Sequence, residues 1–324
     1  MPLPELLEHL LTTPGPSGQE RAVAAVWREA AAPVGEVSSD VLGSSWVRVL
    51  GTGGGPRPRK ARVPSSQVVL VNDAAYVFDC GVGVVTQLAR ADVRLNSLRH
   101  VFITHHHSDH NAEYGPLLLT AWGAGLRTPV DTWGPPPLAR MTDLFLQMND
   151  YDIRTRIEDE ARVPLAPLIR AHELNQGGVV LKQDGVVVTC ALVDHPPVTP
   201  AFAYRLESAD RSVVISGDTK PSDALIRLAQ GADVLVHEVV WPAAVDRMLA
   251  NAYNAAALKK SILSHHTPAV EVGRVAAEAR VKTLVLSHFV PADDPEITDE
   301  MWTEAVRRGG YKGPIILGKD MLEI

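Results

Sequence analysis

The chain has 324 residues, 46% of them hydrophobic, with 31 Lys+Arg against 38 Asp+Glu and a formal charge of −7. That is enough for one large domain or about two smaller ones around a sizeable core, and the acidic balance supplies no basic field for nucleic acid or an anionic membrane. Two cysteines, Cys80 and Cys190, are too few for a disulfide scaffold or a Cys-rich zinc module. No stretch reaches the roughly 18 apolar residues of a membrane span, and the acidic opening MPLPELLEHL lacks the basic start of a signal peptide. A globular cytoplasmic protein with no membrane partner is expected.

Residues 1–43 read as an appendage to a 44–324 domain. Pro4–Thr12 and Glu20–Ala32 have the spacing of two amphipathic helices, broken by Thr13-Pro-Gly-Pro-Ser-Gly18. This opening resembles the start of co-catalytic zinc aminopeptidases, but none of their metal ligands follows, so no activity is carried over. Val47–Pro56 then holds Leu-Gly-Thr-Gly-Gly-Gly and leads into Arg57, Arg59, Lys60 and Arg62. Those residues make either a cradle for an anionic substrate group or a solvated hairpin loop. Gln67–Asn72 and Ala75–Asp79 read as a hairpin turning at Asn72-Asp73.

Twelve histidines stand out, because nine of them are grouped. His9, His100 and His172 are scattered and read as surface or core residues. The first group follows the apolar run Val101-Phe102-Ile103, a buried-strand pattern, and reads His105-His-His-Ser-Asp-His110. On a tight turn at a strand end, His105 and His107 can grip one ion while Asp109 and His110 face a second. Imidazole and carboxylate donors suit zinc, and the absence of thiolates points to an open, catalytic site rather than a closed structural one.

Further along, helices are expected at Gly115–Ala124 and Leu138–Met148 and strands at Gly178–Lys182 and Gly185–Leu192. His195 follows. Ser212–Ser216 reads as a strand, Gly217 as a turn and Asp218 as a strand-end residue, before a helix at Asp223–Gln230 opened by Pro221. Val234–Glu238 ends in His-Glu, and Val239–Leu258 reads as a core or interface helix. Ser264-His-His-Thr267 precedes a helix with Thr267 as N-cap and Pro268 at its first position. Lys282–Ser287 is another buried strand, with His288 at its exit.

Thr104–His110 resembles the zinc signature of the metallo-β-lactamase superfamily, and Asp79, His195, Asp218 and His288 match its remaining motifs in order. The resemblance implies a four-layer αββα sandwich of two related halves. One zinc would take His105, His107, His195 and Asp218; the other would take Asp109, His110, His288 and the shared Asp218. Asp79 would orient the metal loop from behind. Manganese or iron could replace zinc.

The His-Glu and His-x-Thr pairs resemble those of the ribonuclease Z and arylsulfatase-like branch. They imply that Glu238 holds His265 as an imidazolium general acid, with His266 the alternative in the double histidine. Asp109 would also accept the proton of a bridging water activated to hydroxide. The expected reaction is hydrolysis of a small anionic ester, a phosphodiester or sulfate ester. Nucleic acid is less favoured, because no basic arm appears between His110 and His195. Transfer-RNA 3′ cleavage is the alternative, followed by lactone or carboxylic ester hydrolysis and by a metal-binding scaffold without turnover. A homodimer remains open.

Overall fold

Along β1 (Trp46–Gly51), β2 (Ser66–Val71) and β3 (Ala74–Phe78), side chains divide alternately between two buried faces. Val47, Val49, Val69, Tyr76 and Phe78 enter one apolar cluster; Leu50, Val68, Ala75 and Val77 enter another. A strand buried on both faces needs a layer above it and a layer below. The computed structural model, which describes residues 45–324, supplies both. The two helices expected within residues 1–43 lie outside the described residues.

The first sheet adds β4 (Leu98–Phe102), β5 (Val130–Gly134), β6 (Ile169–Glu173) and, at its other edge, β14 (Leu322–Glu323), in the order β14-β1-β2-β3-β4-β5-β6. The second contains β7 (Gly178–Gln183), β8 (Val186–Val193), β9 (Ala201–Glu207), β10 (Ser212–Ile215), β11 (Val234–Val240), β12 (Thr283–Val290) and β13 (Ile315–Leu317). Its order is β13-β12-β11-β10-β9-β8-β7. The sheets meet through Phe78, Phe102, Phe202 and Tyr204.

Helices cover the outer faces. On the first sheet these are α1 (Val84–Arg90) and, beyond the short α2 (Ser108–Asn111), α3 (Tyr114–Gly123). The pair α4 (Leu138–Met148) and α5 (Asp150–Glu160) packs beside them. On the second sheet they are α6 (Asp223–Leu228), α9 (Ala269–Ala279) and α10 (Asp299–Arg308). Between α6 and α9 the chain forms α7 (Val245–Met248) and α8 (Ala255–His265). This is the four-layer αββα sandwich that the sequence leads one to expect. No helix among the described residues is long and apolar enough to cross a membrane.

Local differences have local causes. The hairpin turns where expected, with both Asn72 and Asp73 in the left-handed region that a two-residue turn of this hand requires. α6 is capped by Ser222, whose Oγ accepts from the Leu225 N–H, so Pro221 stands outside it. Val239–Leu258 is not one helix: β11 continues to Val240, Pro242 has no N–H to continue a ladder, and α8 begins only at Ala255. Thr267 does not cap α9, because its hydroxyl donates to the Thr219 carbonyl at 2.6 Å.

β3 to β6 run parallel, as do β10 to β13, so loops that carry chemistry leave the carboxyl ends of the strands, where open α/β sheets bind ligands. α9 and α10 approach so closely that a Cβ on Gly273 would be driven into the Val306 carbonyl. Gly273→Ala should therefore part these helices and destabilise the fold by about 1–3 kcal/mol, read as a lower denaturation midpoint with an unchanged slope.

Candidate active site

Asp79 follows β3 in the left-handed region (φ 59°), a conformation that non-glycine residues adopt at a cost. The turn brings its carboxylate under the loop after β4. There it accepts from the Thr104 N–H at 2.8 Å, the Thr104 hydroxyl at 2.9 Å and His110 Nδ1 at 2.6 Å. With Nδ1 committed to Asp79, His110 turns Nε2 toward Asp218 Oδ2, 3.3 Å away. His105 Nδ1 lies 3.0 Å from the Thr104 hydroxyl, and His195 Nδ1 donates to the His265 carbonyl at 3.1 Å. Partners behind the rings thus set which nitrogen faces inward.

The inward nitrogens converge. His105 Nε2 and His195 Nε2 each lie 3.1 Å from His107 Nδ1. Ligands arranged tetrahedrally at about 2.0–2.1 Å from one ion stand roughly 3.3 Å apart, so this spacing fits a common metal better than a set of hydrogen bonds. His105, His107, His195 and Asp218 place one donor each within 4.8 Å of one another, and so do Asp109, His110 and His288. Asp218 Oδ2 is 3.3 Å from both His110 Nε2 and His288 Nε2, which puts it between the two groups. Asp218 Oδ1 and His110 Nε2 are buried without a hydrogen-bond partner, as donors reserved for an ion would be.

Burial pushes His105 well below the ordinary imidazole range and His195 down to about 3, which keeps both in the neutral, metal-binding form. Burial also opposes charge on His110, but Asp218, Asp79 and Asp109 outweigh it and raise this ring well above the usual value. For Asp218 burial favours protonation, yet His288 and His110 hold the carboxyl well below the carboxylate range. The centre attracts positive charge, and its donors fit a pair of divalent ions.

His288 reaches this centre through a β-bulge. Register between β11 and β12 slips so that Glu238 pairs with Ser287 and Val239 with Phe289, leaving His288 as the extra residue, in the left-handed region (φ 45°). A Cβ on Gly54 would stand 2.9 Å from His288 Nδ1, so the glycine loop after β1 can pack here only without side chains. The Gly55 N–H donates to Asp109 Oδ2 at 2.8 Å. These backbone contacts were not foreseen from the sequence, although the run of three glycines marks a close approach.

Glu238 does not meet His265, and the pairing expected from the sequence is corrected. Its Oε2 lies 3.1 Å from His266 Nδ1, while Oε1 accepts from the Thr219 and Thr267 N–H groups. α8 ends at His265 and the chain is extended at His266, so the two rings, with centroids 4.7 Å apart and steeply inclined to each other, take different partners. His265 Nδ1 instead donates to the Pro196 carbonyl at 3.0 Å. Both rings line the cleft over the metal donors, a space of about 370 Å³.

The basic loop is only half in that cleft. Arg57 and Arg59 line it, with Arg59 Nε 3.6 Å from Asp293. Lys60 is exposed and lines no part of it. Arg62 is structural: its Nη1 donates to Thr52 Oγ1 and the Gly318 carbonyl, and its guanidinium lies 4.3 Å from the centre of the Phe289 ring. A separate hollow of about 430 Å³ lies beside Tyr76, Arg99 and His100 and holds none of the grouped donors.

A family model described as the β-lactamase superfamily domain matches residues 75–289. The chain belongs to the β-lactamase superfamily. It is 36% identical over 278 residues to a ribonuclease Z of Mycobacterium bovis (strain BCG / Pasteur 1173P2), covering 85% of this chain and 96% of that protein. A ribonuclease Z of Mycobacterium marinum is 35% identical over the same coverage. Among solved structures, human tRNase Z, short form, superposes with a TM-score of 0.62 at 21% identity, over 87% of this chain and 98% of that one. The metallo-β-lactamase fold protein YhfI from Bacillus subtilis does so with a TM-score of 0.62 at 21% identity, over 86% of this chain and 98% of that one. The superfamily and the grouped donors make this chain a metal-dependent hydrolase.

Asp79→Asn would keep the shape but weaken the grip on Thr104 and His110. Metal affinity, measured by competition with a chromogenic chelator, should fall by about 10–100-fold. Stripping the ions with a chelator should also lower the thermal midpoint of the unmodified chain, because it uncovers buried carboxylates. An unchanged midpoint would mean that no ion is bound in the folded state.

Proposed function

We propose that this protein hydrolyses phosphodiesters at a dinuclear zinc centre. The observation that carries the reading is the pair of donor groups joined at Asp218, open to a cleft and not closed by thiolates. His105, His107 and His195 would hold one ion, Asp109, His110 and His288 the other, with Asp218 shared. Two such ions lower the pKa of water toward neutrality and withdraw charge from the oxygens of an ester. A phosphodiester is preferred to a sulfate ester because the curated relatives carry the ribonuclease name over nearly their whole length.

The chain's own groups then have separate tasks. Asp109, oriented by the Gly55 N–H, would accept the proton of the attacking water. Arg57 and Arg59 offer positive charge to a phosphoryl oxygen at the cleft wall. His265, oriented by Pro196 and not by Glu238, would act as an imidazolium, keeping its Nδ1 proton on the Pro196 carbonyl and passing the Nε2 proton to the leaving alcohol; His266 is held by Glu238 beside Asp218.

Cleavage of transfer RNA at its 3′ side is the second reading, favoured by the relatives' names. Against it, the helix between the two ligand loops neutralises its own cations. On α5, Arg154 pairs with Asp150, and Arg156 pairs with Asp152 and Glu160. Such a surface gives phosphates little to bind.

Zinc-loaded chain should turn over bis-p-nitrophenyl phosphate in preference to p-nitrophenyl sulfate, a lactone or a precursor tRNA. Asp218→Ala should lower both the zinc content per chain and turnover, the latter by about a hundredfold or more. Full activity with two zincs in that variant would sink the assignment. His265→Ala should slow a diester with a poor leaving alcohol far more than one releasing p-nitrophenol. The same selective loss in His266→Ala instead would move the donor to His266.

A further inference from the structure

We infer that the substrate is a phosphodiester carrying one compact apolar arm, laid along the α8 side of the cleft. This rests on the phosphodiesterase reading and adds the identity of the group beyond the phosphorus.

Leu258, Ser261, Ile262 and His265 are spaced i, i+3, i+4 and i+7, so they share one face of α8, and all four line the cleft. Leu258 and Ile262 carry the apolar part of the stripe, with the small Ser261 between them, up to His265; the next residue, His266, faces Asp218. An apolar wall therefore runs directly into the metal donors. Met248, Leu249 and Val290 continue it.

This wall is not an exposed part of the main core. Val240, Val245, Leu249 and Val290 form an apolar cluster of their own, on which Met248, Leu258 and Ile262 pack while only half-buried. Their remaining surface looks into the cleft, where water is a poor neighbour. A ligand that displaces that water gains in proportion to the apolar area it covers.

The rest of the lining is different. Gly54, packed next to Val290, and Gly55 and Pro56 add little side chain, and Arg57 and Arg59 add charge. Asp293 takes part of Arg59, whereas no carboxylate pairs with Arg57 among the described residues. One available guanidinium suits the single negative charge of a diester. The cleft's roughly 370 Å³ lies at the small end for ligand sites, room for a phosphoryl group and a compact arm.

A nucleobase fits this wall poorly. Bases bind single-strand sites by stacking on wide aromatic faces; no Phe, Tyr or Trp lines the cleft among the described residues, and the rings that do, His107, His265, His266 and His288, belong to the donor groups and the His265–His266 pair. The polar edges of a base would meet Leu258, Ile262 and Met248, and a buried donor or acceptor without a partner is costly.

Binding reads the arm independently of turnover. Zinc-loaded full-length chain is titrated calorimetrically with methyl-, butyl- and phenylphosphonate, and with a short single-stranded RNA. Butyl- and phenylphosphonate should bind about tenfold tighter than methylphosphonate, or better. Leu258→Asn and Ile262→Asn, at half-buried positions, should each shrink that ratio while zinc content stays at the unmodified level. Equal affinity for the three phosphonates in the unmodified chain would overturn the inference, as would a ratio untouched in both variants. RNA binding tighter than any phosphonate would overturn it in favour of a nucleic acid. Turnover of bis-p-nitrophenyl phosphate is followed in parallel. Turnover without an apolar preference removes only the arm; an apolar preference without turnover removes only the reaction.

Discussion

Three carboxylates, Asp79, Asp109 and Asp218, lie buried within one small volume, and the surrounding structure answers to that concentration of negative charge. A buried anion is tolerable only when paired and hydrogen-bonded. Asp79 is satisfied by Thr104 and by His110, and it passes its influence on by fixing the His110 ring. Asp109 receives the Gly55 N–H. Asp218 keeps one oxygen without any protein partner. The centre is built to be completed by cations.

Holding these groups in place uses backbone that ordinary strands do not have. Asp79 and His288 both sit in the left-handed region, and His288 is the extra residue of a bulge. Gly54 admits the first loop against the His288 ring, and Gly217 admits the Asp218 turn against Thr104. Such conformations persist only where rigid neighbours impose them. Here the neighbours are parallel strands covered on both faces, so the sandwich serves as the clamp.

Much of the site was legible because metal-binding loops keep their donors close in sequence. His105, His107, Asp109 and His110 declare themselves in six residues, and strand-end positions suggested Asp218 and His288. The geometry brings together all seven of the donors expected. The general-acid pair was less legible. Two adjacent histidines are equivalent to any spacing rule, and only the end of α8 decides that His266 turns to Glu238. The basic run was misleading for a similar reason. Arg57 and Arg62 look alike on paper, yet one reaches the cleft and the other is spent on Thr52, Gly318 and Phe289. The apolar wall was hidden because Val239–Leu258 reads as one helix, whereas β11, α7 and α8 divide it.

By itself, the sequence determined the chemistry: which residue types could bind ions and that they occur at strand ends. Those properties follow from local spacing and side-chain type, which a linear chain displays directly. Tertiary structure alone decided which nitrogen of each imidazole turns inward, which histidine Glu238 holds and which guanidinium faces the cleft. It also decided that Leu258 and Ile262 flank the metal donors. Each of those depends on groups far apart in sequence meeting within about 3–4 Å, a distance at which hydrogen bonds and contacts exist and beyond which they do not.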